Sequence, residues 1–258
     1  MDFFNKDSRK KKAISHTKKM DSIFSKEIQY SKKNTIIYNV DFVFKDRNIT
    51  IENNTNIIVD DIDSVSAIFK YNTKGKTTIL NFASYKNPGG GFINGSKAQE
   101  ECLCHNSFLY NVLKEYENTF YEWNRKHLNK SLYLNRALYS KNILFFNDKT
   151  NEKTYCDVIT CPAPNKKAAQ EYSKITNKEN YKVLEDRIRF VLEIAKENEV
   201  ETLILGAFGC GVFGQDSREV ATIFKKLIHN DYANVFKKII FAIPSGNNNY
   251  MNFKNIFK

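Results

Sequence analysis

Short apolar runs alternate with amphipathic stretches along most of the chain. The β-branched segments NTIIYNVDF (34–42), ITI (49–51) and NIIVDD (56–61) predict strands, and Ser64–Tyr71 predicts a helix. TTILNFA (77–83) and TLILGAF (202–208) are apolar without alternation, the pattern of strands buried on both faces. A single helix is predicted from Ala98 to Tyr116, with Ala98, Cys102, Leu109 and Leu113 on one stripe. YSKNILFF and CDVITCPAPN predict two further strands within an aromatic, irregular middle. Leu184, Ile188, Val191, Leu192 and Ala195 recur at helical spacing between Asn180 and Asn198, and DSREVATIFKKLI turns Val220, Phe224, Leu227 and Ile228 to one side. A last strand, KKIIFAIP, is expected to close the sheet. Strands alternating with helices imply an α/β fold: a central, mixed but mainly parallel sheet covered on both faces, with the ligand crevice at the carboxyl ends of its strands.

Composition narrows this picture. The 258 residues are 41% hydrophobic with four prolines and ten glycines, which fits a globular chain with a sizeable core. The formal charge is +11, which favours polyanionic partners. More than half of that excess lies in residues 1–33, with ten Lys or Arg against four Asp or Glu. This segment, helical over Ala13–Phe24, is expected to be a basic N-terminal extension that aids capture of a polyanion; residues 34–258 form the main domain. No run of about eighteen apolar residues exists and no apolar stretch follows the basic opening, so no membrane partner is expected. Five scattered cysteines, Cys102, Cys104, Cys156, Cys161 and Cys210, are expected as reduced thiols. An intracellular location, cytoplasmic or nuclear, follows, and a monomer is favoured.

Two glycine-rich segments lie after buried strands and before helices. There, unpaired N–H groups and the positive end of a helix dipole can receive phosphate oxygens. Either alone is most often an ordinary turn; two at one crevice point to a diphosphate ligand. Gly209-Cys210-Gly211-Val212-Phe213-Gly214 matches GxGxxG. However, it lies near the C-terminus and the next strand ends in FAIP without a carboxylate, against a dinucleotide-dependent dehydrogenase. Gly89-Gly90-Gly91 is followed after seven residues by Gln99-Glu100-Glu101, so a phosphate-friendly loop delivers two carboxylates to one mouth. Cys102, Cys104 and His105 are too divergent on a helix to share an ion and read as packing residues. His16, His127 and His229 show no evident partner, and Trp123 reads as core or as an adenine-stacking surface.

NFASYKNPGGGFINGSKAQEECLCHNSFLY, VITCPAPN and LILGAFGCGVFGQDSREVATIF together resemble the poly(ADP-ribose) glycohydrolases of the bacterial, macrodomain-like type. The resemblance runs from about His16 to FAI near 243. It implies a macrodomain-like three-layer fold that binds ADP-ribose and hydrolyses ribose–ribose bonds of poly(ADP-ribose), with no cofactor and no metal. By that pattern Glu101 is the catalytic acid and Glu100 orients the ribose. Gly89, Gly90 and Gly91 contact the distal ribose and phosphate region. Gly209, Cys210, Gly211, Val212 and Gly214 wrap the diphosphate, and Phe213 packs on the distal ribose. Asn81, Ser84 and Gln99 complete the substrate-binding set. Ser84 stands where related macrodomains often carry Asn, and Gln-Asp-Ser stands where Asn-Asp-Pro is expected. Removal of single ADP-ribose groups from protein or nucleic acid, and ADP-ribose binding without cleavage, are the alternative activities.

Cleaving at ribose builds positive charge on the anomeric carbon and negative charge on the leaving oxygen. Successive helical residues diverge by about 100°, so Glu100 and Glu101 should play different parts. A helix N-terminus lowers a carboxyl pKa, whereas burial, a neighbouring carboxylate and a bound diphosphate raise it; substrate binding is expected to create the acid.

Overall fold

The computed structural model describes residues 5–45, 54–72, 75–147 and 150–258. The ITI segment at 49–51 lies outside them. In chain order the elements are α1 (Lys6–Ile23), α2 (Ser25–Lys33), β1 (Ile36–Tyr38), β2 (Asn56–Asp60), α3 (Ser64–Tyr71), β3 (Thr77–Phe82), α4 (Gln99–His105), α5 (Leu109–Leu113) and α6 (Glu122–Lys126). They continue as β4 (Ala137–Asn147), β5 (Glu152–Cys161), α7 (Lys166–Ser173), α8 (Asn177–Glu197), β6 (Thr202–Leu205), α9 (Ser217–Asn230), β7 (Lys238–Ala242) and α10 (Asn248–Ile256).

The strands form one sheet in the order β1, β4, β5, β3, β6, β7, β2. β4 runs antiparallel to both its neighbours; the pairs β5–β3, β3–β6, β6–β7 and β7–β2 are parallel. The last strand therefore does not close the sheet. β2 takes that edge, pairing Ile57 with Ile239 and Val59 with Phe241. Alternation along each strand divides the core. Leu80, Ile159, Leu203 and Ile239 pack against α8 and α9, whereas Ile79, Val158, Ile204 and Ile240 pack beneath α3, α4 and α5. Each such fully buried aliphatic side chain contributes about 1.5–3 kcal/mol, and the result is a three-layer α/β/α sandwich.

Three further corrections arise. The helix expected from Ala98 to Tyr116 breaks after His105: Ser107 bridges Phe145 at the sheet, Phe108 is fully buried, and helix resumes only at Leu109. Only Ile36–Tyr38 of the 34–42 run pairs as strand. Helix in the N-terminal segment is longer than expected, and it docks on the body. Ala13, Met20 and Ile28 enter the core, the Asn111 amide donates to the Thr17 carbonyl, and His16 Nε2 lies 2.7 Å from the Ser107 carbonyl oxygen. Among the described residues no helix is long and apolar enough to cross a membrane.

Candidate active site

Three loops leave the carboxyl ends of the adjacent strands β5, β3 and β6. The first, Pro162–Asn165, follows β5; the second carries Gly89–Gly91 to α4; the third carries Gly209–Gly214 to α9. The loops are fitted to one another by missing side chains. A Cβ on Gly206 would meet Phe82 and the Ala242 carbonyl, and one on Gly209 would meet Ala163 and Gln215. Gln215 is buried; its amide exchanges hydrogen bonds with Asn180 on α8 and donates to the Pro164 carbonyl, tying the third loop to the first. Arg187, also buried, donates to the Pro162 carbonyl and to Asn135 Oδ1.

The carboxylates stand on the first turn of α4, and Gln99 places them. Its Oε1 accepts from the Phe82 N–H at 2.9 Å, while its Nε2 donates to the Leu80 carbonyl at 2.9 Å and to Ser64 Oγ at 3.2 Å. An amide so engaged with β3 and α3 positions the helix. Glu100 is 3% exposed and Glu101 6%, so both lie out of bulk water. Glu100 Oε2 accepts from the Ser84 N–H at 2.7 Å, and its Oε1 from Asn81 Nδ2 at 3.2 Å. Glu101 Oε1 accepts from the Gly91 N–H at 2.8 Å. Although their backbone positions diverge, the side chains converge: a Cβ on Gly90 would stand 2.7 Å from Glu101 Oε1 and 2.8 Å from Glu100 Oε2. Gly90, at φ +60, is therefore the floor on which both carboxyl groups meet.

Two acceptors at this floor, Glu101 Oε2 and Asn81 Oδ1, are buried without a partner among the described residues. A buried polar atom left so costs about 1–3 kcal/mol, and at a cleft it calls for a donor from a ligand. Ser84 Oγ accepts from the Lys86 and Asn87 N–H groups, so its hydroxyl shapes the turn into Gly89.

Beyond Gly209–Gly214 the chain enters α9 through an N-cap, Asp216. The first-turn N–H groups of α9 at Arg218 and Glu219 are taken by Asp216 Oδ1, at 2.7 and 3.2 Å. Gly211 opens onto space, Val212 is 84% exposed, and Cys210 is half-buried. Phe213 is half-buried, its ring 6.1 Å from Tyr133 in an edge contact, and Tyr133 stacks on Tyr85 at 4.2 Å. This aromatic chain, which links the second and third loops, was not anticipated from sequence. No local pattern marks it, because Tyr85 and Tyr133 are 48 positions apart.

Trp123 stacks on His127 at 3.7 Å and on the Arg136 guanidinium at 4.2 Å, and His229 Nδ1 lies 2.8 Å from the Lys225 carbonyl oxygen. All five cysteines are free thiols, and among the described residues no three His, Cys, Asp or Glu gather as metal ligands.

Burial, the largest influence, drives the Glu100 carboxyl up to about 8; the Ser84 and Asn81 donors oppose it, and the Glu101 charge adds to the rise. For Glu100, burial thus outweighs the donors that favour its charged form. An exposed glutamate titrates near about 4.3. The folded state thus holds a proton that the unfolded chain has lost, and the associated stability is complete below about pH 4.3 and disappears as pH rises to about 8. The native melting temperature should accordingly fall across this window more steeply than that of Glu100→Gln, measured by thermal denaturation at several pH values. Parallel curves would mean that Glu100 is ionised in the fold.

Residues 7–148 match the microbial-type PARG catalytic domain, while no curated protein sequence matches the chain. Poly(ADP-ribose) glycohydrolase from Thermomonospora curvata superposes with TM-score 0.88 at 27% identity, covering 97% of this chain and 99% of that one. The same enzyme bound to the inhibitor ADP-HPD gives 0.84 at 26%, with coverage of 96% and 98%. The Deinococcus radiodurans enzyme in complex with ADP-ribose gives 0.77 at 27%, with coverage of 89% and 96%. The three-layer fold is macrodomain-like, and with more than half of its length matched the chain belongs to the microbial-type PARG catalytic-domain family.

Proposed function

We propose that Glu101 and Glu100 carry out the family's reaction here, hydrolysis of the ribose–ribose O-glycosidic bonds of poly(ADP-ribose) with release of ADP-ribose. The observation that carries the assignment is the buried, unpartnered Oε2 of Glu101 beside an oxygen fixed by the Gly91 N–H. One oxygen holds the carboxyl group in place; the other is left to the leaving oxygen. Glu101 delivers a proton to that oxygen as the bond to the anomeric carbon breaks. It then takes a proton from the water that adds to the same carbon, which restores the acid. Glu100, held by Ser84 and Asn81, orients the ribose, and the Asn81 Oδ1 atom accepts from a sugar hydroxyl. Gly89–Gly91 and Gly209–Gly214 receive the distal ribose and the diphosphate, with Phe213 against the ribose.

Residues 1–33 act as a basic extension packed on the catalytic unit, 34–258. Five free thiols and the lack of a membrane-crossing helix among the described residues support an intracellular location, cytoplasmic or nuclear. Incubation with poly(ADP-ribose) followed by chromatography should yield free ADP-ribose. A protein that binds ADP-ribose yet releases none from polymer or from modified macromolecules would be a binding module instead.

A further inference from the structure

A cleft of about 730 Å³ opens away from the two carboxylates, between α1 and the start of β5. Lys12, His16 and Lys19 line it from α1, Lys153 faces them, and His105 with the aromatic pair Phe24 and Phe146 forms the floor. The two phenyl rings lie 5.2 Å apart, with the Lys153 ammonium 5.7 and 5.9 Å from their centroids. Lys19 and Lys153 are exposed, and among the described lining residues Glu152 is the one carboxylate. Burial, then the charges of His16, Lys12 and Arg9, push His105 down to about 4. That ring is neutral at pH 7, and the lysines supply the positive charge.

This cleft and the loop that serves Glu101 share a wall, α1. Arg9 Nε donates to the Gly95 carbonyl at 2.7 Å. Phe92, which follows Gly91, presents its buried ring to His16 at 6.3 Å and to His105 at 4.6 Å, both in edge contacts. From Arg9 to Lys19, α1 extends about 15 Å, so its cationic residues lead from the glycine loop to the cleft. Phosphates linked to flat bases match ammonium groups set beside an aromatic pair.

We propose that the cleft between α1 and the start of β5 is a second binding site for the anionic polymer, holding a phosphate-and-adenine segment remote from the bond at Glu101. The proposal rests on the polymer-hydrolysing reading above. The wall that the cleft shares with the catalytic loop favours the substrate chain over nucleic acid as occupant.

The test is the double variant Lys19→Glu/Lys153→Glu, with Lys19→Gln/Lys153→Gln as a milder form should charge reversal disturb folding. At about 50 mM salt, KM for long polymer should rise about tenfold, with kcat and ADP-ribose affinity unchanged. Near about 0.5 M salt the difference should vanish, as expected for phosphate contacts. The Gln pair should shift KM in the same direction by less. An unchanged KM at low salt, or an equal loss of affinity for ADP-ribose monomer, would overturn the second site while leaving the hydrolase intact. So would single-stranded DNA that binds the native protein more tightly than polymer does at equal phosphate concentration and loses that advantage in the variant, since it would assign the cleft to nucleic acid. Native protein that releases no ADP-ribose from polymer would overturn both readings.

Discussion

Gly90→Ala should lower turnover on poly(ADP-ribose) by about a hundredfold or more while the chain still folds. The added methyl would stand 2.7 Å from Glu101 Oε1 and 2.8 Å from Glu100 Oε2, closer than a real Cβ and oxygen approach. The backbone cannot easily yield, because the Gly90 N–H donates to the Asn87 carbonyl at 3.1 Å and the next peptide holds Glu101. At φ +60 a non-glycine residue also costs about 1–2 kcal/mol. The carboxyl groups must therefore move, and a displacement of about 1 Å in a catalytic group can cost on the order of a hundredfold in rate. Gly246→Ala, which opens onto free space, serves as the control and should leave both turnover and melting temperature unchanged. Native turnover in Gly90→Ala would show that the two carboxyl groups do not meet at this floor during the reaction.

How much of this was legible in sequence depends on the range of the interactions involved. Ser64–Tyr71 is found as expected and TTILNFA supplies β3, because side-chain periodicity and β-branching act locally. The position of β2 beside β7 rests on pairing across some 180 positions, which periodicity does not record. The Ala98–Tyr116 stripe reads as one helix because its spacing continues past the break, yet Ser107 and Phe108 are drawn to the sheet by tertiary contacts. α10 lies in a stretch whose asparagines obscure its single buried anchor, Phe253. At the site, the residue types and their order were legible, but what each side chain touches was not. Gln99 turns out to brace the sheet, and Asp216 occupies the donors of α9. Glu100 and Glu101 converge because long side chains can bend back over a glycine, which a 100° helical step alone does not reveal.

Glu101→Gln should be more damaging still, with turnover reduced by about 10²- to 10⁴-fold and ADP-ribose bound with near-native affinity. Glutamine keeps the length of the side chain, and its carbonyl oxygen can still accept from the Gly91 N–H that fixes Glu101 Oε1 at 2.8 Å. The ground-state geometry is thereby retained. What is lost is the group at the unpartnered Oε2 position, where an amide can neither protonate the leaving oxygen nor later receive a proton from water. Glu100→Gln separates the two roles: it keeps an acceptor for the Ser84 N–H and should lose less, through a misplaced ribose. Single-turnover hydrolysis of polymer by each variant, beside calorimetric titration with ADP-ribose, distinguishes them. If Glu101→Gln cleaved polymer at the native rate, the proton-transfer role would pass to another group, of which Glu100, whose carboxyl burial drives up to about 8, is the nearest. If both variants lost ADP-ribose binding in proportion to rate, the carboxyl pair would be holding the ligand rather than breaking its bond.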